Sequence, residues 1–190
     1  MALSDSRTGA CSRPLLEIDG RVTTLKTQKP HAKKPTSPRP ELLLQLHLES
    51  NPETLCLVRA TLQRAAEVLH FPEPESRAIV RSVDEALANI IRHAYHGQPG
   101  MPIEVSFSRL WQRRDAKEPK GIEIVLEDSG PAVDLEKLKG RPLDQIRPGG
   151  LGLHFIKHSM DVVEFRRKSG KNFLRLVKYL ATPRPDKEGE

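Results

Sequence analysis

The chain has 190 residues, a net charge of +6 and two cysteines. This length suits one domain with a buried core plus a tail, while two cysteines, Cys11 and Cys56, exclude a disulfide framework and a cysteine-based zinc site. No apolar run approaches the roughly 20 residues of a membrane span, and the N-terminus lacks the apolar core of a secretory signal, so we expect a cytoplasmic protein without a membrane segment.

Residues 1–39 are predicted to form a basic tail without fixed structure. Residues 1–40 hold eight Lys and Arg against three Asp and Glu, so they carry most of the net charge. The Pro- and Lys-containing stretch 26–40 has almost no large apolar side chains and cannot bury enough surface to offset its ordering entropy. The tail is therefore either a solvated leader or a weak electrostatic docking arm. The rest of the chain is nearly neutral, so we expect no direct binding to nucleic acid; residues 183–190 form a second, short polar tail.

Residues 40–182 show the periodicities of a single domain. Four leucines alternate along a predicted half-buried strand: Leu42, Leu44, Leu46 and Leu48. An amphipathic helix is predicted after the N-cap residue Asn51, and a second over 77–97, ending at Gly97. A hairpin follows, with strands at 101–110 and 120–130. After it come a long irregular connection at 131–150, a third helix at 151–160 and a closing hairpin at 161–181. The order β-α-α-β-β-loop-α-β-β predicts an α/β sandwich, with helices on one face of a mostly antiparallel sheet.

The second helix carries the first chemical pattern. Its polar stripe recurs at helical spacing: Glu85, Asn89, Arg92 and His96. Glu85 and Asn89 lie one turn apart and offer a carboxylate and an amide oxygen on the same surface. An amide oxygen suits a hard cation such as Mg²⁺, and a carboxylate suits a general base or a metal-bound water. A solvated helix face is the structural alternative.

The second pattern is the end of a predicted strand, where Asp128 is followed by Ser129 and Gly130. A carboxylate fixed at a strand end can accept a hydrogen bond from an amine, and a glycine beside it lets a flat ring approach the backbone. Asp, Ser and Gly also populate ordinary turns for conformational reasons alone.

The third pattern is a glycine-rich helix start with Gly149, Gly150 and Gly152. Free N–H groups and the positive end of the helix dipole attract anions there, and missing side chains let polyphosphate oxygens come close to the backbone. A flexible entry into the helix has the same composition.

Taken in this order, the three patterns resemble the N box and the two glycine boxes of the histidine-kinase-like ATPase superfamily. The stretches "DEALANIIRHAYHG", "EDSGPAVD" and "PGGLGLHFIKHSMDVVEFRRKSGKNFLRLVKYL" are similar to the RsbW-like branch of anti-sigma-factor serine kinases. The resemblance covers about residues 40–181 and implies the fold of that superfamily. It also implies an anti-sigma factor with ATP-dependent serine/threonine kinase activity. Such a protein phosphorylates an anti-anti-sigma (STAS-type) antagonist, sequesters a sigma factor to regulate transcription, and forms a homodimer.

The resemblance also implies roles for single residues. On the helix it makes Asn89 the Mg²⁺ ligand, Glu85 the base that activates the substrate serine, and Arg92 a cation that touches phosphate. At the strand end, Asp128 accepts the adenine amino group and Gly130 gives the ring room. Three glycines line the triphosphate beneath a lid at 134–149: Gly149, Gly150 and Gly152. ATP and Mg²⁺ are thus the implied ligands.

Two departures from the family pattern keep a second function open. Ala132 replaces the second glycine of the first glycine box, and the lid is short and lacks a Thr-Thr-Lys element. These departures favour a non-catalytic module that sequesters a partner with bound ATP or with no nucleotide. Intact Glu85 and Asn89 favour the kinase. His93 and Tyr95, in the same helix signature, are predicted to be packing residues.

Overall fold

The computed structural model of the protein describes residues 23–25, 39–111, 119–132 and 151–181. Six strands and three α-helices occur in these residues. In chain order they are β1 (Thr23–Leu25), β2 (Arg39–Glu49), α1 (Leu55–Val68), α2 (Glu73–Asn89), β3 (Pro102–Trp111), β4 (Pro119–Asp128), α3 (Leu151–Ser159), β5 (Val162–Lys168) and β6 (Lys171–Tyr179). A short 3₁₀ turn, Pro52–Thr54, precedes α1, and a π-helical turn, Ile90–Ala94, continues α2.

The strands form one antiparallel sheet in the order β1-β5-β6-β4-β3-β2. The predicted hairpins β3–β4 and β5–β6 are confirmed. The β5–β6 turn has positive φ angles at Ser169 (51°) and Gly170 (82°), as a type I′ turn requires. The α/β sandwich with a mostly antiparallel sheet is therefore confirmed as the fold class. None of the helices in the described residues is long and apolar enough to cross a membrane.

The N-terminal segment differs from its prediction at three residues. Thr23–Leu25 form β1, which adds an edge strand next to β5, with Thr23 opposite Phe165 and Leu25 opposite Val163. The prediction of no fixed structure over 1–39 does not hold for these three residues. Pairing with the free edge of β5 gives their backbone groups hydrogen-bond partners, which composition alone does not reveal. Arg39 already begins β2, and the other residues of the tail lie outside the described ranges.

Strand β2 departs from the simple alternation of its leucines. Leu44 pairs with Phe107, but Leu42 pairs with Ser108, so a β-bulge at Leu43 shifts the register between them. The extra residue of a bulge turns the preceding side chain to the other face of the sheet. The predicted half-buried face holds for Leu46 and Leu48, which pack against the core. It is wrong for Leu42, which the bulge turns away, and for Leu44, which is also exposed.

Helix α2 begins four residues before its predicted start. The structure begins it at Glu73, because proline is tolerated in a first helical turn and the carboxylates of Glu73 and Glu75 favour the positive end of the helix dipole. Asn51 caps the 3₁₀ turn Pro52–Thr54 that precedes α1, and not α1 itself as predicted; its side chain accepts a hydrogen bond from the Glu53 N–H at 2.9 Å.

The core lies between the helices and one face of the sheet. Rows of paired residues from β3, β4 and β6 are fully or almost fully buried in it: Val105, Leu126 and Leu174 form one row, and Phe107, Ile124 and Leu176 the next. Leu62 of α1 and Ile79 of α2 belong to the same cluster. The next pair beyond the row of Leu126 and Leu174 is polar. It consists of Asp128, two residues after Leu126, and Asn172, two residues before Leu174. The register thus places two polar side chains on the helix-facing side of the sheet.

Candidate functional site

The end of α2 is a widened helical turn. The Tyr95 N–H donates to the Ile90 carbonyl at 3.0 Å, five residues back, and the Gly97 N–H donates to the Ile91 carbonyl at 2.8 Å. The wider turn buries both isoleucines and leaves Arg92 exposed. Such turns inside helices occur often at functional sites. The structure places this one directly after Asn89, the last residue of α2.

The π-helical turn alters the predicted polar stripe. Glu85 and Asn89 remain one regular turn apart, as predicted. Arg92 lies within the wider turn, and its Nη2 atom is 3.9 Å from Glu85 Oε1. His96 has a positive φ of 51° beyond the end of the helix, so its predicted place on the stripe is wrong because the helical turn ends at Ala94.

Tyr95 braces this turn against the sheet. Its side chain is 4% exposed, its hydroxyl donates to the Pro102 carbonyl at 2.6 Å, and the Ser129 N–H donates to the hydroxyl oxygen at 2.8 Å. Tyr95 therefore ties the end of α2 to the start of β3 and the end of β4. The predicted packing role is thus extended by two hydrogen bonds that position the two halves of the site.

We expect Tyr95→Phe to lower the free energy of unfolding by about 0.5–1.5 kcal/mol, because the Pro102 carbonyl loses its donor and the Ser129 N–H loses its acceptor. Burial raises the pKa of Tyr95 above its ordinary value of 10.0. A raised folded-state pKa means that the phenol stabilises the fold fully below about pH 10 and loses this contribution as the pH rises through the folded-state pKa. Urea unfolding of wild type and variant from pH 7 to 11 should show a constant difference up to about pH 10 and a shrinking one above it. A difference that stays constant to pH 11 contradicts the assignment.

The end of β4 holds the predicted carboxylate. Asp128 is 6% exposed, and its Oδ1 accepts from the Gly130 N–H at 2.8 Å and from Asn172 Nδ2 at 2.8 Å. A Cβ atom added at Gly130 would lie 2.7 Å from Ala94 Cβ and 2.9 Å from Asp128 Oδ1. The missing side chain of Gly130 thus lets β4 pack against the π-helical turn. This is a different reason for the glycine from the room for a flat ring that the sequence suggested.

Two residues of the site were missed by the sequence analysis. Asn172 is 5% exposed and donates from Nδ2 to Asp128, and Arg167 Nη1 donates to Asn172 Oδ1 at 2.6 Å and to the Gly130 carbonyl at 3.0 Å. The signal that could have found Asn172 is its position at the core-facing end of a strand, two residues before the buried Leu174. Its pairing with Asp128 depends on the register between β4 and β6.

The start of α3 contacts the catalytic candidate on α2. A Cβ atom at Gly152 would overlap the Oε1, Cδ and Cγ atoms of Glu85, so the absence of a side chain lets the carboxylate lie against the first turn of α3. The positive end of that helix favours the negative charge. A second contact between the helices is the Arg81 guanidinium, 4.3 Å from the centre of the Phe155 ring. Gly149, Gly150 and the predicted lid 134–149 lie outside the described residues.

Two groups of this arrangement have acceptor atoms that no described residue uses. Within the described residues, no group donates to Asp128 Oδ2, and the half-buried Asn89 side chain has no hydrogen-bond partner. No cluster of three or more His, Cys, Asp or Glu that could hold a metal occurs in that part of the chain either. An Asn89 oxygen with no competing partner fits Mg²⁺, which usually takes one or two protein ligands together with phosphate and water oxygens.

Comparisons with known proteins identify the family of the chain. A family model described as "Histidine kinase-like ATPase domain" matches residues 48–178, more than half of the chain. The chain is 28% identical over 153 residues to "Serine-protein kinase RsbW" of Bacillus pumilus, covering 76% of this chain and 90% of that protein. It is 24% identical over 151 residues to the protein of the same name of Bacillus subtilis, covering 75% and 89%. It is 33% identical over 102 residues to "Serine/threonine-protein kinase BtrW" of Bordetella bronchiseptica, covering 52% and 66%.

Proposed function

Since the chain belongs to the family of histidine kinase-like ATPase domains, we propose that it is an ATP-dependent protein serine/threonine kinase and anti-sigma factor. Its substrate is an anti-anti-sigma protein of the STAS type, and it sequesters a sigma factor in the cytoplasm and so regulates transcription. The observation that carries the proposal is the Glu85 carboxylate. It lies one turn before Asn89 and against the first turn of α3, which Gly152 leaves open. The names of the relatives, serine-protein kinases, support the same activity.

The nucleotide has a separate contact for its base and for its phosphates. Asp128 Oδ2 is available to accept from an amino group on the base. The amide oxygen of Asn89 would hold Mg²⁺, which would neutralise phosphate charge. The first turn of α3 offers backbone N–H groups to phosphate oxygens. Arg92, exposed near Glu85, is placed to add a positive charge.

Phosphoryl transfer then needs one proton acceptor. The substrate serine oxygen forms a bond to the γ-phosphorus while the bond from that phosphorus to the β,γ-bridging oxygen breaks, and ADP leaves. Glu85 takes the proton of the serine hydroxyl. Its carboxylate is about one-third exposed, so an incoming hydroxyl can reach it. Most of the acceleration comes from positioning and charge stabilisation, since phosphoryl transfer requires little covalent help from the protein.

The alternative function is a non-catalytic module of the same fold that sequesters a partner protein. Ala132, in place of the second glycine of its motif, and the short lid favour it. The structure leaves Ala132 exposed at the end of the β4 segment, so its methyl group does not fill the core-facing site around Asp128. This argues against the form of the module that binds no nucleotide, while the intact Glu85 favours the kinase over the form that binds ATP. For either function we propose protein partners, with no direct binding to nucleic acid or membrane; a homodimer is part of the same proposal.

We expect Asp128→Asn to weaken MgATP binding by about 1.5–3 kcal/mol, the scale of a hydrogen bond to a charged group. Asparagine keeps one oxygen for the donors from Gly130 and Asn172, but it presents an NH₂ group where Oδ2 faced the base. Titration calorimetry on the full chain measures the change. Glu127→Gln is the matched control, because Glu127 is the preceding residue of β4 and pairs with Lys171 on the other sheet face. Equal affinity in wild type and Asp128→Asn would remove Asp128 from the nucleotide site.

A further inference from the structure

The two carboxylate oxygens of Asp128 have different surroundings. Oδ1 accepts two hydrogen bonds, from the Gly130 N–H and from Asn172 Nδ2, each at 2.8 Å. An ionised carboxylate has about four lone-pair sites, two on each oxygen, so Oδ1 is fully used by the protein. Oδ2 receives no donor from the described residues. Asp128 therefore offers a ligand one acceptor atom where a free carboxylate would offer two.

The neighbours of Asn172 fix which of its amide atoms faces Asp128. Its Nδ2 is close to three acceptors, Asp128 Oδ1 at 2.8 Å, the Pro131 carbonyl at 3.0 Å and the Gly130 carbonyl at 3.3 Å. Its Oδ1 receives the Arg167 guanidinium at 2.6 Å. A flipped amide would set its oxygen against three acceptors and its NH₂ group against a cation. Hydrogen-bond chemistry thus selects the orientation, and Arg167 holds it.

This difference between the two oxygens bears on which base can bind. Adenine carries an amino group at position 6, which needs one acceptor. Guanine carries an oxygen at position 6 and has neighbouring N1–H and N2–H donors, which a carboxylate satisfies best with both oxygens at once. A carboxylate with Oδ1 fully used cannot form this paired contact, and the 6-oxygen of guanine is repelled by Oδ2.

We propose that Asn172, held by Arg167, is a specificity-determining residue that makes the site select 6-aminopurine over 6-oxopurine nucleotides. Both residues act through Asp128 and are positioning residues, because they keep Oδ1 occupied and leave Oδ2 for the base. The proposal rests on the proposed ATP-binding function and extends it to two residues outside the helix and glycine motifs. Asn172 bonds Asp128 directly and Arg167 bonds Asn172, so the effect needs no change in fold.

The test is the ratio of MgGTP to MgATP dissociation constants, measured by calorimetry on the full chain. We expect wild type to prefer ATP by about tenfold to hundredfold, the scale of a hydrogen bond to a charged group. In Asn172→Ala, Oδ1 is released to accept from guanine, so the ratio should fall about tenfold, with weaker ATP binding and stronger GTP binding. Arg167→Gln should change the ratio in the same direction by less. Lys171→Gln, on the opposite sheet face and paired with Glu127, is the control and should leave the ratio unchanged.

Two results overturn the inference and leave ATP binding in place. The first is equal loss of ATP and GTP affinity in Asn172→Ala with an unchanged ratio, which assigns Asn172 to packing alone. The second is a wild type that binds ATP and GTP equally well. If Asn172→Ala does not fold, the ratio in Arg167→Gln decides, and an unchanged ratio there also overturns the inference. A folded wild type that binds neither nucleotide contradicts the proposed function itself.

Discussion

Glu85→Gln should slow phosphate transfer to the protein substrate by about 10²–10⁴-fold, the usual cost of removing a general base. Glutamine keeps the size of the side chain and its contact with the first turn of α3, but it cannot take a proton at neutral pH. The affinity for MgATP should stay close to that of wild type. Single-turnover transfer from labelled ATP, together with calorimetry, separates the chemical step from binding.

Two other substitutions on α2 make this result specific. Asn89→Ala should weaken MgATP binding itself, because it removes an oxygen ligand from the cation, so the two variants should differ in kind. Asp84→Asn is the control for a carboxylate on the same helix, since Asp84 pairs with Arg59 of α1 at 2.7 Å. It should leave both rate and affinity unchanged. If Glu85→Gln transfers phosphate as fast as wild type, Glu85 is not the base.

Gly152→Ala should slow transfer about 100-fold without destabilising the protein. The added methyl group would overlap the end of the Glu85 side chain, which is flexible and can swing away, so the fold survives. Alanine is a better helix former than glycine, so the free energy of unfolding should stay level or rise slightly. A displacement of about 1 Å at a catalytic group can cost about 100-fold in rate.

The double variant Gly152→Ala/Glu85→Gln identifies the cause of that loss. If the methyl group acts only by displacing the Glu85 carboxylate, the double variant should be no slower than Glu85→Gln alone, as residues that act together are not additive. Losses that multiply would show that Gly152 contributes in another way, for example through close approach of phosphate. A Gly152→Ala variant with wild-type rate would contradict the contact itself.

The parts of the fold that follow from local patterns were predictable. The hairpins β3–β4 and β5–β6 come from alternating strands that follow each other along the chain. The pairing of Glu85 with Asn89 follows from a step of four residues in a regular helix. The π-helical turn was missed, because Ile90 and Ile91 continue the apolar periodicity of α2 and nothing in their spacing marks the extra residue.

The parts that depend on contacts between distant segments could not be predicted from one sequence. Asn172 meets Asp128, and Arg167 meets Asn172, only through the register of β4, β5 and β6, which is set by the packing of whole strands. Likewise, the sequence suggested that Gly130 leaves room for the ring of the base. Only the position of Ala94 shows that the missing side chain lets the residues after β4 pack against the π-helical turn. Strand β1 was missed because its residues become a strand by pairing with the free edge of β5, which their own composition does not indicate.

The most direct test of the kinase is transfer of labelled phosphate from ATP to a serine of a purified anti-anti-sigma protein. The assay contains Mg²⁺, the full chain, and each such protein encoded in the same genome. We predict that wild type labels at least one of them and that Glu85→Gln labels it about 10²–10⁴-fold more slowly. A wild type that binds MgATP by calorimetry yet labels none of them would contradict the kinase and favour the non-catalytic sequestering module.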